Sequence, residues 1–190
     1  VSQDRGLIRY LMRHRHTTPF EMVEFKFHCK MPIFVARQWV RHRTANINEY
    51  SLRYSEARDE FYMPDPEHIQ FQSALNKQGR KGEVPEELKQ KVLDYFKEIS
   101  ERSFDIYSEL NEAGVARELA RSILPVNLYT EWYWKNDLHN LLHFVGLRSD
   151  SHAQYEIRVF SDAMAESVKA VAPFAWEAYQ DYVVKGMRFS

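Results

Sequence analysis

The sequence predicts an α+β fold, a helix-rich single domain with a small, mostly antiparallel sheet. Two stretches, Met22 to Met31 and Val126 to Trp134, alternate apolar and polar residues with period two, the spacing of a half-buried strand. Much of the remainder carries apolar residues at helical spacing, above all Pro85 to Ala113. Strands and helices do not alternate regularly, which argues against a parallel βαβ sheet. A length of 190 residues fits one domain.

The chain opens inside a helical pattern, with Leu7, Ile8, Leu11 and Met12 on one face and no initiator methionine, so upstream residues are expected. In the first strand Val23, Phe25, Phe27, Cys29 and Met31 alternate against Glu24, Lys26, His28 and Lys30. Pro32 suits the start of a helix that runs without a breaker from Ile33 to His42, and the polar run Arg43 to Ser51 reads as a loop leaving it. A short extended piece at Glu60 to Met63 and a Pro64-Asp65-Pro66 turn follow. Residues 72–84, rich in Gly, Lys and Gln over most of their length, are expected to form a mobile loop.

In the long helix Leu88, Val92, Tyr95, Phe96, Ile99, Phe104, Tyr107 and Leu110 supply an apolar face, and Gly114 stops it. A shorter helix, Val115 to Leu124, ends at Pro125. The second strand then places Leu128, Thr130, Trp132 and Trp134 on one face. Helices are expected at Asn136 to Arg148, Ser151 to Ala172 and Pro173 to Val184.

Composition excludes several classes. With 44% apolar and 14% aromatic residues the chain is not disordered, and its apolar runs fall well short of the roughly 20 residues of a membrane span. The single cysteine, Cys29, rules out an internal disulfide, and no basic-then-apolar signal pattern is seen, so a reducing cytoplasm is the expected location. The net charge of −1 conceals a division: residues 1–58 hold eleven basic and five acidic side chains, whereas residues 59–114 hold seven and thirteen. Nine of the sixteen arginines precede residue 59, and the planar guanidinium favours phosphate and carboxylate.

The densest cluster runs from Arg37 to Tyr54 and holds Arg37, Arg41, Arg43 and Arg53 with His42, Glu49 and Ser51. Four guanidinium groups so close repel one another unless anions lie among them, and Glu49 alone cannot neutralise them. Two readings stand at this point, a solvated basic helix end favoured by the helix dipole and an anion-binding site. The interleaved Asn, Ser and Tyr residues, which can hydrogen-bond a base or sugar, weigh toward the second. His139 and His143 share a helix face, with His152 soon after, but no acidic residue completes an HExxH pattern, so a hydrogen-bonding face is expected there and no metal.

The string RHRTANINEYS resembles the signature of the flavin-dependent thymidylate synthases, Arg-His-Arg, seven residues, then Ser. Similar stretches are HRHTTPFE at 14–21, PIFVARQW at 32–39, ARSILPVNLYT at 120–130 and LRSDSHAQYEIR at 147–158, so the resemblance spans nearly the whole chain, 1–190. Family members carry a further segment ahead of this starting point, a strand included, so the sheet is expected to be one strand short. The resemblance implies methylation of dUMP to dTMP, with FAD as cofactor, 5,10-methylenetetrahydrofolate as one-carbon donor, NADPH as reductant and no enzyme nucleophile. Cys29 accordingly reads as a small buried hydrophobe.

Carried over by position, Arg41, His42 and Arg43 resemble the flavin-binding Arg-His-Arg. Thr18, near His16, Glu49, Asp137, His139 and His143 fall at other flavin-facing positions, although some members carry Asn and Arg where Asp137 and His139 stand. Gln38, Arg41, Glu49, Tyr50, Ser51, Leu52 and Arg53 resemble the nucleotide-binding segment, with Ser51 and Arg53 on the substrate phosphate. Arg121 matches another nucleotide-contacting arginine, and Arg148 the catalytic arginine that binds the uracil ring. The resemblance also implies a homotetramer with active sites shared between subunits. Trp132, Tyr133 and Trp134 could stack on a flavin, but an aromatic-rich strand is more often core. Two further readings compete: a nucleic-acid-binding module with Tyr50 and Tyr54 as stacking platforms, against which the pI near 6.8 argues, and a helical dimerisation protein. Neither nucleic acid nor membrane is an expected partner.

Overall fold

The two period-two stretches become the longest strands among the described residues. The structure, a computed structural model, describes residues 2–74 and 79–186. Strand β1 is Glu24–Pro32, with Cys29 and Met31 buried and Lys30 exposed between them. The later strand, Tyr129–Asp137, buries Thr130, Trp132, Trp134 and Asn136 in strict alternation. It is the fifth strand, β5, because three others precede it that the sequence did not announce.

One of these, β2 (Ala45–Glu49), lies where a loop was expected. The three-stranded sheet has the order β1-β5-β2, so β2 is an edge strand. An edge strand needs backbone pairing on one side only and little hydrophobic patterning. Ala-Asn-Ile-Asn-Glu has almost none. The other two, β3 (Gln70–Gln72) and β4 (Arg80–Glu83), pair antiparallel where the loop at 72–84 was expected; residues 75–78 of that stretch lie outside the described residues. Gly82, at φ 94°, supplies a backbone conformation that a side chain would strain.

Among the helices α1 is Ser2–Arg13 and α2, a single turn, Thr18–Glu21. Helix α3 is Ile33–Trp39, shorter than the expected span to His42. Helix α4 is Glu86–Glu112, α5 Arg117–Ala120, α6 Leu138–Arg148, α7 Tyr155–Val171 and α8 Pro173–Tyr179, continued as a π-turn to Val184. The expected helix at 115–124 is thus one turn of α5 followed by a 3₁₀ piece at Arg121–Ile123.

The chain groups into two units. One comprises Val1–Phe27, His42–Asn46 and Lys135–Ser190. Its core is Leu141, Phe144 and Val145 of α6 with Ile157, Met164 and Val168 of α7 and Ala175, Ala178 and Tyr179 of α8. Arg5 and Arg9 of α1 reach Glu177 of α8, and Arg9 also reaches Asp181. The other unit comprises His28–Arg41 and Ile47–Trp134. There Trp39 meets Trp132 and Trp134 edge-on, each at 5.4 Å between ring centroids. Helix α4 contributes Phe104, against Phe61, and buried Tyr107, whose hydroxyl accepts from Ala57 N. Buried Asn127 donates to Tyr62 O and Ser100 Oγ, which satisfies a polar group that would otherwise be costly to bury. The predicted apolar face of α4 is only partly covered, since Leu88, Tyr95 and Ile99 remain exposed.

Trp39 and Trp134 are both fully buried. Replacing Trp39 with Ala is expected to destabilise the fold by about 3–5 kcal/mol, the range for deleting a large core aromatic. Urea unfolding measures it; a loss below about 1 kcal/mol, the size of an ordinary surface change, would deny the trio that role.

Candidate functional site

The Arg-His-Arg signature falls just where a helix stops. Helix α3 ends at Trp39, whose burial fixes that end, and Val40 N still donates to Ala36 O. Arg41 and His42 therefore leave the helix on which the sequence placed them, Arg41 in a turn and His42 in irregular chain, and Arg43 follows in irregular chain as expected. Within the second unit Gln38 carries a buried Oε1 with no hydrogen-bond partner. A buried acceptor left open costs free energy, so this atom marks a place for a donor. Arg41 is exposed and makes no ion pair or hydrogen bond with the described residues.

The segment after β2 is held by local and long-range bonds. Glu49 Oε1 accepts from Thr130 Oγ1 at 2.7 Å, and Tyr50 N donates to Glu131 O at 2.8 Å. Tyr50 OH donates to Glu56 O. Ser51 Oγ accepts from Arg53 N, a turn that leaves the hydroxyl proton free to donate. Leu52 is half-buried and, with Tyr50, Lys30 and Tyr129, lines a shallow cleft. Arg53 reaches Glu118 at 3.3 Å, both side chains more than half exposed, which is a weak pair. Arg121, half-buried in the 3₁₀ piece, has no partner among the described residues.

In the first unit Arg148 Nε donates to His42 Nε2 at 2.9 Å, joining residues 106 positions apart. Phe144 lies edge-on to His42 at 4.9 Å and His143 at 6.4 Å. Burial, then the charges of Arg148 and His143, push the His42 imidazole down to about 4. It is therefore neutral near pH 7, with its proton on Nδ1, because Nε2 accepts from Arg148. Burial also lowers the Arg148 guanidinium. Arg43 is exposed with no partner among the described residues.

Other expected residues have different local duties. Asp137 caps α6, its Oδ1 accepting from Asn140 N and its Oδ2 from Asn140 Nδ2. An Asp ahead of a helix could have disclosed that role in the sequence. His139 is half-buried, His143 exposed, and Thr18 exposed at the start of α2. Among the described residues no group of three or more His, Cys, Asp and Glu side chains is placed to hold a metal. Cys29 is buried, and that burial pushes its thiol up to about 11. Thr130 and Phe144 were not among the expected site residues. Strand alternation points Thr130 inward, but its bond to Glu49 needs the fold.

The chain belongs to the flavin-dependent thymidylate synthase family: the family described as "Thymidylate synthase complementing protein" (Thy1) matches residues 1–174. Relatives named flavin-dependent thymidylate synthase include one from Rickettsia conorii, 54% identical over all of this chain and 69% of its own length. One from Ehrlichia ruminantium is 56% identical over all of this chain and 64% of its own length. A crystal structure of the UMP/dUMP methylase PolB from Streptomyces cacaoi, bound with 5-Br UMP, superposes with a TM-score of 0.89 at 35% identity, covering 95% of this chain and 83% of that one. The chain spans 64% of the length of its relative from Ruegeria pomeroyi, so a third or so of such relatives has no counterpart here.

A depressed imidazole has a direct consequence for acid stability. The unfolded chain protonates His42 near its ordinary value of 6.5 while the folded chain resists down to about 4. Its contribution to stability is thus whole above pH 6.5 and falls as pH drops through that window. Histidine-selective NMR titration should place the His42 midpoint near 4; a midpoint at 6 or above would contradict the half-buried Arg148–His42 contact.

Proposed function

We propose that the protein methylates dUMP to dTMP, with 5,10-methylenetetrahydrofolate as one-carbon donor, NADPH as reductant, FAD as cofactor and no enzyme nucleophile. The observation that carries this reading is the distribution of arginine partners. Arg5, Arg9, Arg53, Arg58 and Arg117 each meet a carboxylate. Arg37, Arg41, Arg43 and Arg121 meet none among the described residues. The uncompensated guanidinium groups of the signature, with Arg37 and Arg121 offered elsewhere in the chain, fit anions supplied from outside, here the phosphates of a flavin nucleotide and of dUMP.

The donor set also fits a flavin. Arg41 and Arg43 offer charge to the pyrophosphate, neutral His42 adds no repulsion, and Glu49, Thr18, His139 and His143 offer polar contacts. When bound, the flavin supplies the redox chemistry that reduces the transferred methylene. Ser51, Arg121 and Arg53, the last exchanging its weak, exposed pair with Glu118, hold the substrate phosphate, Tyr50 and Leu52 flank it, and the open Gln38 Oε1 accepts from the nucleotide. Arg148 spends Nε on His42, which leaves its terminal amino groups as donors toward the uracil ring. The ring carbon is a good nucleophile toward an electrophilic methylene only when the ring is in its ionised, electron-rich form, which carries negative charge. A fixed guanidinium stabilises that charge and contributes about a hundredfold or more in rate. Buried, protonated Cys29 supports a mechanism without a thiolate.

A cytoplasmic homotetramer with shared active sites completes the proposal. The exposed apolar stripe Leu88, Tyr95 and Ile99 on α4, beside acidic Asp94, Glu98, Glu101 and Asp105, suits a subunit contact with a basic surface. Among the described residues no helix is long and apolar enough to cross a membrane.

Three measurements test this reading. The purified protein should bind FAD and turn yellow, and a colourless protein that takes up no added FAD overturns it. Arg148→Ala should abolish dTMP formation with flavin still bound, at least about a hundredfold down. Ser51→Ala should weaken dUMP binding by roughly tenfold to a hundredfold, the loss of one hydrogen bond to a charged group, while turnover persists at saturating dUMP; a covalent Ser51 adduct would contradict the absence of a nucleophile.

A further inference from the structure

The last turn of α6 carries Arg148, and α7 grips that turn through one polar contact, with a close approach from α8 beside it, in an otherwise apolar core. Ser149, the residue that closes α6, donates its backbone N to Val145 O, and its hydroxyl lies 2.9 Å from Ser161 Oγ of α7. Ser161 is fully buried, and Ser149 is its hydrogen-bond partner among the described residues. Around it α7 presents Ile157, Met164 and Val168, so an Ala at 161 would suit the packing. A buried hydroxyl pair among such residues adds little net stability, but it defines axial register and rotation, which apolar contacts alone leave loose. Helix α8 closes on the same turn. A Cβ at Gly146 would stand 2.8 Å from the Tyr179 hydroxyl, and Tyr179 is 3% exposed, so the glycine is what admits the phenol.

We infer that Ser149 and Ser161 are positioning residues: their hydroxyl pair fixes the end of α6 so that Arg148 keeps its bond to His42 and its terminal amino groups stay aimed for the substrate. The inference rests on the proposed role of Arg148 for its functional meaning, but the geometry itself is testable without any ligand. Arg148, one residue before the pair, has no other tether among the hydrogen bonds described than His42. A small rotation of the helix end would break a 2.9 Å bond between side chains that are themselves only half-buried. Burial, Arg148 and His143 all hold the His42 imidazole down, so loosening Arg148 lets it rise.

The experiment is an NMR titration of His42 in the substrate-free protein, wild type against Ser161→Ala, Ser149→Ala, Ser149→Thr and Arg148→Ala. Arg148→Ala sets the full displacement of the midpoint. Ser161→Ala and Ser149→Ala should each move it up by at least about half a pH unit, the effect of a weakened neighbouring charge. Ser149→Thr, which keeps the hydroxyl, should leave it in place. Unshifted midpoints in both alanine variants, with Arg148→Ala shifted, would overturn the inference, as would a midpoint that Arg148→Ala itself does not move. Ser149→Ala, at a half-buried site, keeps the test open if Ser161→Ala fails to fold. None of these outcomes depends on flavin or dUMP, so a failed activity assay and a failed titration are separate results.

Discussion

The burial of Trp39 against Trp132 and Trp134 is the constraint from which the rest of the candidate site follows. These rings are large and rigid, they meet edge-on, and all three are buried. Because Trp39 is the last residue of α3, its position sets where the helix ends and where the backbone turns outward. Gln38, one residue earlier, is pinned with an unpaired acceptor, and Arg41 is delivered into a turn with its guanidinium in solvent. A binding residue set on such an end is pre-organised by packing, which lowers the ordering cost of holding a ligand.

Electrostatics then divide the arginines into two populations. Arg5, Arg9, Arg53, Arg58 and Arg117 meet carboxylates, in pairs exposed enough to contribute little stability individually. Arg41 and Arg43 of the signature meet no carboxylate among the described residues, and their exposed guanidinium groups are open to anions from solvent. His42 fits the same logic. A second full charge beside Arg148 would be repelled, and burial keeps the imidazole neutral so that it can accept a hydrogen bond and orient the guanidinium. The nearly neutral net charge of the chain therefore hides arginines without carboxylate partners among the described residues.

How much was legible in the sequence varies with the kind of signal. Strand alternation placed Cys29, Met31, Thr130, Trp132 and Trp134 inward because side-chain direction in a strand is fixed by geometry alone. Long α4 and its glycine stop were legible for the same reason, with Gly114 at φ 79°. The edge strand β2 and the β3–β4 hairpin were not, since their pairing is made by backbone groups that every residue carries. Leu88, Tyr95 and Ile99 of the predicted apolar face are exposed, because helical spacing shows that a face is apolar and not what covers it.

The sequence by itself determined the family, through a signature of charged and polar residues whose order is dictated by ligand chemistry, and it determined which faces are apolar. Only the tertiary structure decided that Arg148 bonds His42, that Asp137 serves as a helix cap, that Glu49 is held by Thr130, and that Ser149 meets Ser161. These are contacts between residues whose spacing along the chain carries no periodic trace. They come into being when helices and strands pack, and packing is set by the summed fit of many side chains, which no local pattern records.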